Sequence, residues 1–300
     1  MKKKPANHPA ASYGSRPIKR TRRTRAELDH LQETMRGLLE HNNPMTVRQV
    51  FYRMVSGGHI DKTEAEYKNT VGRLLVKMRR DGVIPFGWIA DNTRFMRKPR
   101  TYSSLEQALR HTAQTYRRSV WDNQPVYVEV WTEKDALAGV LIEETRPWDV
   151  PLMVSRGFSS VSFLYEAAET IEDQGKPAYL YYFGDHDPSG VHIDRNIERQ
   201  LREMAPGAEI HFERVAVLPW QIVAWNLPTR PTKRTDGRAK NFKGESVEVD
   251  AVDPQVLRSL VATCIERHVD RHAYDVLKAA EESERELLTR FRTNGSLRPF

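Results

Sequence analysis

Residues 178–190 read Ala178-Tyr179-Leu180-Tyr181-Tyr182-Phe183-Gly184-Asp185-His186-Asp187-Pro188-Ser189-Gly190. The apolar and aromatic run, stopped by a glycine, predicts a strand, and the residues from 190 to 204 predict a helix. Working outward, residues 125–131, 151–155 and 210–218 are also β-rich, with helical stretches at 134–144 and 160–174 between them. Strands that alternate with helices imply an α/β fold with a parallel sheet and right-handed crossovers. In such sheets ligand chemistry gathers at the carboxyl ends of the strands.

Two acidic features fall at those ends. Glu133 follows the first strand, and Asp185 and Asp187 follow the third. Pro188 stiffens the second loop and Gly190 lets the chain turn into the next helix. Three carboxylates at one sheet edge repel one another unless a cation neutralises them. All-oxygen ligands with an open geometry suit Mg²⁺ better than zinc. A lone Asp-x-Asp in a turn is more often a solvated loop, and only Glu133 on a second strand strengthens the metal reading. His186 and His192 are left outside the metal shell, as loop histidines facing solvent.

Toward the amino terminus the pattern is helical. Leu28, Leu31, Met35, Leu38 and Leu39 recur at helical spacing over residues 25–41. Thr46 and Gln49 form a capping-box start to a second helix, which Gly57-Gly58 ends. A third helix carries Tyr67, Val71, Leu74, Leu75 and Met78 on one side and Lys68, Arg73, Lys77, Arg79 and Arg80 on the other. Residues 83–89, broken by Pro85 and Gly87, read as a short extended, hairpin-like piece. This order predicts a winged helix-turn-helix whose third helix contacts DNA. The alternative is a basic helix face that is simply solvated.

The composition agrees with a folded chain: 300 residues with 39% hydrophobic content hold one large core or a few small ones. One cysteine, Cys264, makes neither an internal disulfide nor a cysteine-rich zinc site. With no long apolar run and no apolar leader, the expectation is a protein without membrane contact, in the cytoplasm and associated with the nucleoid. The net charge is +7, and nine Lys and Arg within residues 1–25, with no Asp or Glu, leave the rest of the chain at −2. Such a basic arm either tethers nucleic acid or solubilises the chain.

Together these motifs bring out a resemblance. The order strand, Glu133-Lys134, helix, strand, helix, strand, Gly184-Asp185-His186-Asp187-Pro188-Ser189-Gly190, helix is similar to the Toprim domain of topoisomerases, primases and some nucleases. Arg48-Gln49-Val50-Phe51-Tyr52 resembles the Arg-x-x-aromatic-Tyr motif of the topoisomerase VI A subunit and the related meiotic double-strand-break transesterase. The resemblance covers roughly residues 40–220, with the winged helix before the Toprim domain as in that family. It implies that Tyr52 attacks a phosphodiester of double-stranded DNA and forms a 5′-phosphotyrosyl link, and that Glu133, Asp185 and Asp187 hold Mg²⁺. It also implies a homodimer in which the tyrosine of one subunit meets the metal site of the other.

Helical geometry adds an independent point: Arg48 and Tyr52, at i and i+4, lie side by side at the border of the apolar arc. A guanidinium there can bind phosphate and favour the phenolate, since a free tyrosine titrates near about 10. From periodicity alone, Tyr52 is a border aromatic covering the core. Lys134 and Arg156 follow the first and second strands and either touch phosphate or make surface salt bridges.

Two features depart from the family. Phe51 stands where a first tyrosine is common, and the chain carries no Gly-x-x-x-x-Gly-Lys-Ser/Thr motif, so strand passage requires a separate ATPase subunit. The expected organisation is a disordered basic arm over 1–24, a winged-helix domain over 25–120, a Toprim domain over 121–220 and an α+β extension over 221–300. Within the extension, residues 228–243 look like a basic loop, and Ser246-Val247-Glu248-Val249-Asp250 alternates as a half-exposed strand whose acids are spare candidate ligands. Asp253-Pro254 starts a further helix, and a last one spans about 273–292. Two other activities fit the same motifs: a Toprim-type nuclease in which metal-bound water attacks, as in some defence enzymes, and a DNA-binding module that does not cleave.

Overall fold

The computed structural model describes residues 23–90, 99–157, 159–231, 242 and 244–294. The basic arm up to residue 22 and most of the loop at 232–243 lie outside the described residues. Among those described, four strands form one all-parallel sheet in the order β2-β1-β3-β4, where β1 is Tyr127–Thr132, β2 Leu152–Val154, β3 Ala178–Phe183 and β4 Ile210–Ala216. The helices are α1 (Arg25–Asn42), α2 (Val47–Ser56), α3 (Arg73–Arg80), α4 (Leu105–Thr115), α5 (Asp135–Thr145), α6 (Val161–Asp173), α7 (Gly190–Met204), α8 (Pro219–Ala224), α9 (Pro254–Glu266) and α10 (Arg271–Asn294). The α/β class, the parallel sheet and the crossover helices α5, α6 and α7 agree with the sequence reading. No helix among the described residues is long and apolar enough to cross a membrane.

Local signals set the helix ends. The Thr46 side chain accepts from Gln49 N at 2.9 Å, and the Gln49 side chain accepts from Thr46 N at 2.8 Å. Asp253 caps α9 by accepting from Gln255 N, with Pro254 in the first turn.

Two amino-terminal expectations differ from the structure. The third helix is not one continuous α-helix: Glu66–Gly72 is π-helical and only then does α3 begin. The wider turn keeps Tyr67 against Phe51 and Arg48 while Val71, Leu74 and Leu75 remain in the core. Residues 83–89 hold no strand pair. They make a 3-10 turn at Phe86–Trp88 and one parallel bridge between Met45 and Ile89, because Pro85 has no N–H to give to a ladder.

The half-exposed strand expected at 246–250 is also corrected. Val247 makes a single antiparallel bridge with His186 and Ser246 one with Arg230, after which Val249–Ala251 tightens into a 3-10 turn. Both faces are covered, one by the loop after β3 and the other by α2, so Glu248 and Asp250 are buried with Val247 and Val249. Arg258 of α9 donates to the carbonyls of Asn42 and Pro44. Residues 247–250 join the loop after β3 to the start of α2, and one continuous core runs from Leu31 to Leu277.

Candidate active site

The sheet register creates the site. Thr132 pairs with Phe183, so the residues that follow, Glu133 and the 184–190 loop, leave the sheet side by side. Glu133 N donates to Phe183 O at 3.2 Å. Burial, reinforced by the charges of Asp185 and Asp187, pushes the Glu133 carboxyl up to about 7.

The loop is tightly built. Asp187 Oδ1 accepts from Gly190 N at 2.7 Å, and Asp185 Oδ1 accepts from Val249 N at 2.8 Å. A Cβ on residue 190 would lie 2.2 Å from the Asp185 carbonyl oxygen, so glycine is required there. Arg214 of β4 donates to the carbonyls of Gly184 (3.1 Å), Asp185 (3.2 Å) and Gly190 (2.9 Å) and pairs with Asp194 at 2.5 Å. Nothing in the sequence singles out Arg214, since its partners become neighbours only when β4 docks on β3.

Lys134 turns inward. Its Nζ lies 3.0 Å from Asp185 Oδ1, 2.8 Å from Asp250 Oδ2 and 3.4 Å from Glu248 Oε2. Burial alone would drive the proton off this amine, but the carboxylates of Asp250, Asp185 and Glu248 more than reverse that and hold it charged. As placed, it neutralises acids of its own chain rather than facing solvent. Burial pushes Asp185 up, against the pull of Lys134 and the Val249 amide.

Glu248 extends the network to α2. Its carboxylate is 3.4 Å from Arg48 Nε and 3.0 Å from Arg230 Nη1, and Arg230 also approaches Asp187 at 3.5 Å. Thr46, the α2 cap, donates to Asp250 Oδ1 at 2.9 Å. Arg48 lies over the Tyr67 ring at 4.1 Å, and Tyr52 packs against Phe51 with ring centroids 5.3 Å apart. Tyr52 is only 3% exposed, more buried than a border position implies. Burial and then the charge of Glu248 raise its phenol above the ordinary value, while Arg48, Lys134 and Arg230 oppose that rise. A pocket of about 330 Å³ opens beside Tyr52, bounded by Arg48, Lys62, Glu64, Arg230 and Glu248. Lys62 Nζ donates to the carbonyls of Pro228 (2.8 Å) and Thr229 (2.5 Å) and lies 5.4 Å from the Tyr52 ring centroid.

The remaining basic candidates stand apart from this centre. Lys68, Arg73, Lys77 and Arg80 are exposed on the third helical segment, with Lys68 paired to Glu64 at 3.1 Å and Lys77 paired to Asp81. Arg79 is half-buried over the Phe86 ring. Arg156 is exposed and pairs with Asp135 at 2.9 Å.

The donor set around Glu133 is all oxygen, and its Oε2 is buried without a hydrogen-bond partner among the described residues, as is the Tyr182 hydroxyl. That chemistry fits a hard cation. Among the described residues, no group of three or more His, Cys, Asp and Glu side chains is arranged to hold a metal ion, and the Lys134 ammonium sits among the acids.

Sequence reasoning missed Glu248 as a centre of the network, together with Lys62, Arg214 and Arg230. Its one available signal was the pair of acids at 248 and 250. Their partner Lys134 is 114 and 116 residues away. Compared with models of known protein families the chain matches none, and it has no significant match among curated proteins.

Proposed function

We propose that this protein is a Mg²⁺-dependent DNA-binding and DNA-cleaving enzyme, of the topoisomerase VI A type that its motifs resemble, with a winged helix-turn-helix followed by a Toprim-type sheet. One observation supports the reading best. Arg48, one turn before Tyr52, pairs with Glu248, which pairs with Lys134, which pairs with Asp185 at the end of β3. Arg48, one turn from Tyr52 on α2, and Asp185 at the sheet edge therefore belong to one charged network.

In this reading the Tyr52 oxygen attacks the scissile phosphorus, a phosphotyrosyl bond forms to the 5′ side, the P–O3′ bond breaks, and the 3′ oxygen takes up a proton. Arg48 binds the phosphate and lowers the cost of the phenolate. Glu133, Asp185 and Asp187 would hold Mg²⁺, which when bound supplies positive charge to the phosphate oxygens. Lys134 must give up its pairing with Asp185 for that. Lys68, Arg73, Lys77, Arg79, Arg80 and Arg156 are read as contacts to the duplex backbone. Two copies of the chain would supply two half-sites for cuts in both strands, and strand passage would need a separate ATPase subunit.

The deciding experiment incubates the full chain with duplex DNA and Mg²⁺, denatures, and looks for DNA covalently attached to protein. An adduct present in the wild type and lost in Tyr52→Phe is the expected result. No adduct under any divalent metal condition sinks the transesterase reading. A second reading, hydrolysis by metal-bound water with Tyr52 structural, has its own support in the burial of Tyr52 and its raised phenol. It predicts free 5′-phosphate ends in the same assay, undiminished in Tyr52→Phe. Intact DNA throughout would leave a binding module.

A further inference from the structure

Among the described residues, Glu248 is the one acid that Arg48, Arg230 and Lys134 all share, although Lys134 lies nearer Asp250 and Asp185, Arg230 also approaches Asp187, and Arg48 also approaches Glu64. Arg48, Arg230 and Lys134 converge on it from three separate parts of the chain, at 3.4, 3.0 and 3.4 Å, although its side chain is only 8% exposed. It forms one wall of the pocket over Tyr52, and Arg48 and Arg230 line that same pocket. Both guanidinium groups are partly open to solvent, with side chains 31% and 40% exposed. Guanidinium forks accept carboxylate and phosphate oxygens alike, and a phosphodiester carries the same single charge as a carboxylate. Lys62 fixes the main chain at Pro228 and Thr229, next to Arg230, and so sets where that guanidinium can reach.

We propose that the Glu248 carboxylate is an internal stand-in for a DNA phosphodiester, holding Arg48 and Arg230 on the site that the substrate phosphate takes over. Arg230 becomes a phosphate-binding residue alongside Arg48, Lys62 a positioning residue for it, and Glu248 an autoinhibitory contact that substrate must displace. The inference rests on DNA as the substrate class but not on the cleavage chemistry.

The test measures binding of a short fluorescent duplex by anisotropy, without divalent metal, at two salt concentrations. Glu248→Gln keeps the shape and removes the charge, and it is expected to bind roughly tenfold more tightly than wild type, the scale of one charged hydrogen bond. Glu33→Gln, on the exposed side of α1, makes the same change in net charge and is expected to stay within about twofold. Arg230→Gln, at the pocket rim, is expected to weaken binding by roughly tenfold and to lower the salt slope by about one.

Unchanged or weaker binding by a folded Glu248→Gln overturns the proposal, and so does an equal gain in Glu33→Gln. If Glu248→Gln does not fold, Arg230→Gln decides, and wild-type affinity in that variant overturns the proposal. A duplex bound by neither wild type nor Glu248→Gln also overturns it. A gain in Glu248→Gln with no covalent adduct in the wild type leaves the phosphate pocket standing and removes the transesterase. An adduct without that gain does the reverse.

Discussion

The 184–190 loop and the pocket over Tyr52 belong to one charged network but are held by different kinds of bond. In the loop the anchors involve main chain: the amides of Val249 and Gly190 donate to Asp185 and Asp187, and Arg214 donates to three of the loop's carbonyls. In the pocket the anchors are the ends of long side chains, Arg48, Arg230 and Lys134, gathered on Glu248. Buried main-chain groups that lose a partner must bear their desolvation, so such anchors are costly to break. The Arg48 and Arg230 guanidinium groups are partly solvated, so their pairing with Glu248 is easier to exchange for a ligand than a main-chain anchor. The loop is therefore a fixed frame, and the pocket is the part able to adjust.

That contrast breaks first at Arg214. Arg214→Ala removes the cation paired with the buried Asp194, which keeps only the Arg195 amide, and takes one donor from each of four carbonyls, those of Gly184, Asp185, Gly190 and Val217. It is expected to lower stability by about 3–5 kcal/mol, read as a reduced urea midpoint at constant slope. An unchanged midpoint would mean that the loop is not framed from β4.

The next effect tests the strand that carries the frame. Glu129, at the centre of β1, is fully buried and accepts from the Tyr127 hydroxyl at 3.0 Å and Trp131 Nε1 at 2.7 Å. Burial, opposed by those two donors, pushes its carboxyl up to about 7. Because the native state holds this proton more tightly than the unfolded chain, the stabilisation is complete below the ordinary value of 4.5 and is lost as pH rises toward about 7. The loss attributable to this group is about 3 kcal/mol. Urea midpoints across that pH range should fall, and Glu129→Gln should reduce the slope.

Gly190→Ala tests the loop itself. The added methyl meets the Asp185 carbonyl, so a cost of about 2 kcal/mol is expected. A Tm equal to wild type would show that the loop yields. Thr46→Ala sits on the boundary between frame and pocket: it removes the α2 cap and the bond to Asp250, and about 1–2 kcal/mol should be lost. The smallest effect belongs to the pocket rim. Glu64→Gln, 59% exposed and 3.9 Å from Arg48, should change stability by less than about 0.5 kcal/mol. A larger loss there would mean that the pocket is as rigid as the loop.

Legibility in the sequence followed the range of the interaction. β3 and α7 were readable to the residue, because a run of apolar side chains and an i, i+3, i+4 pattern are properties of neighbours. The caps at Thr46 and Asp253 were readable for the same reason. The acids Glu133, Asp185 and Asp187 were found because strand ends in a parallel sheet share an edge. The segment at 246–250 misled: alternation reports one solvated face, and here α2 covers the side that would be open.

The amino-acid sequence by itself determined the parallel α/β class and the bounds of β3 and α7, which depend on side chains within a turn or two of one another, and it placed the acids at the sheet edge through the general rule that parallel strands end together. Only the tertiary structure decided that Glu248, Asp250 and Arg230 join Lys134, and that Tyr52 is buried beside them. Those neighbours come from segments far apart in the chain, Glu248 and Asp250 being 114 and 116 residues from Lys134, and what brings charges together over that separation is the packing of the whole core, which no local pattern encodes.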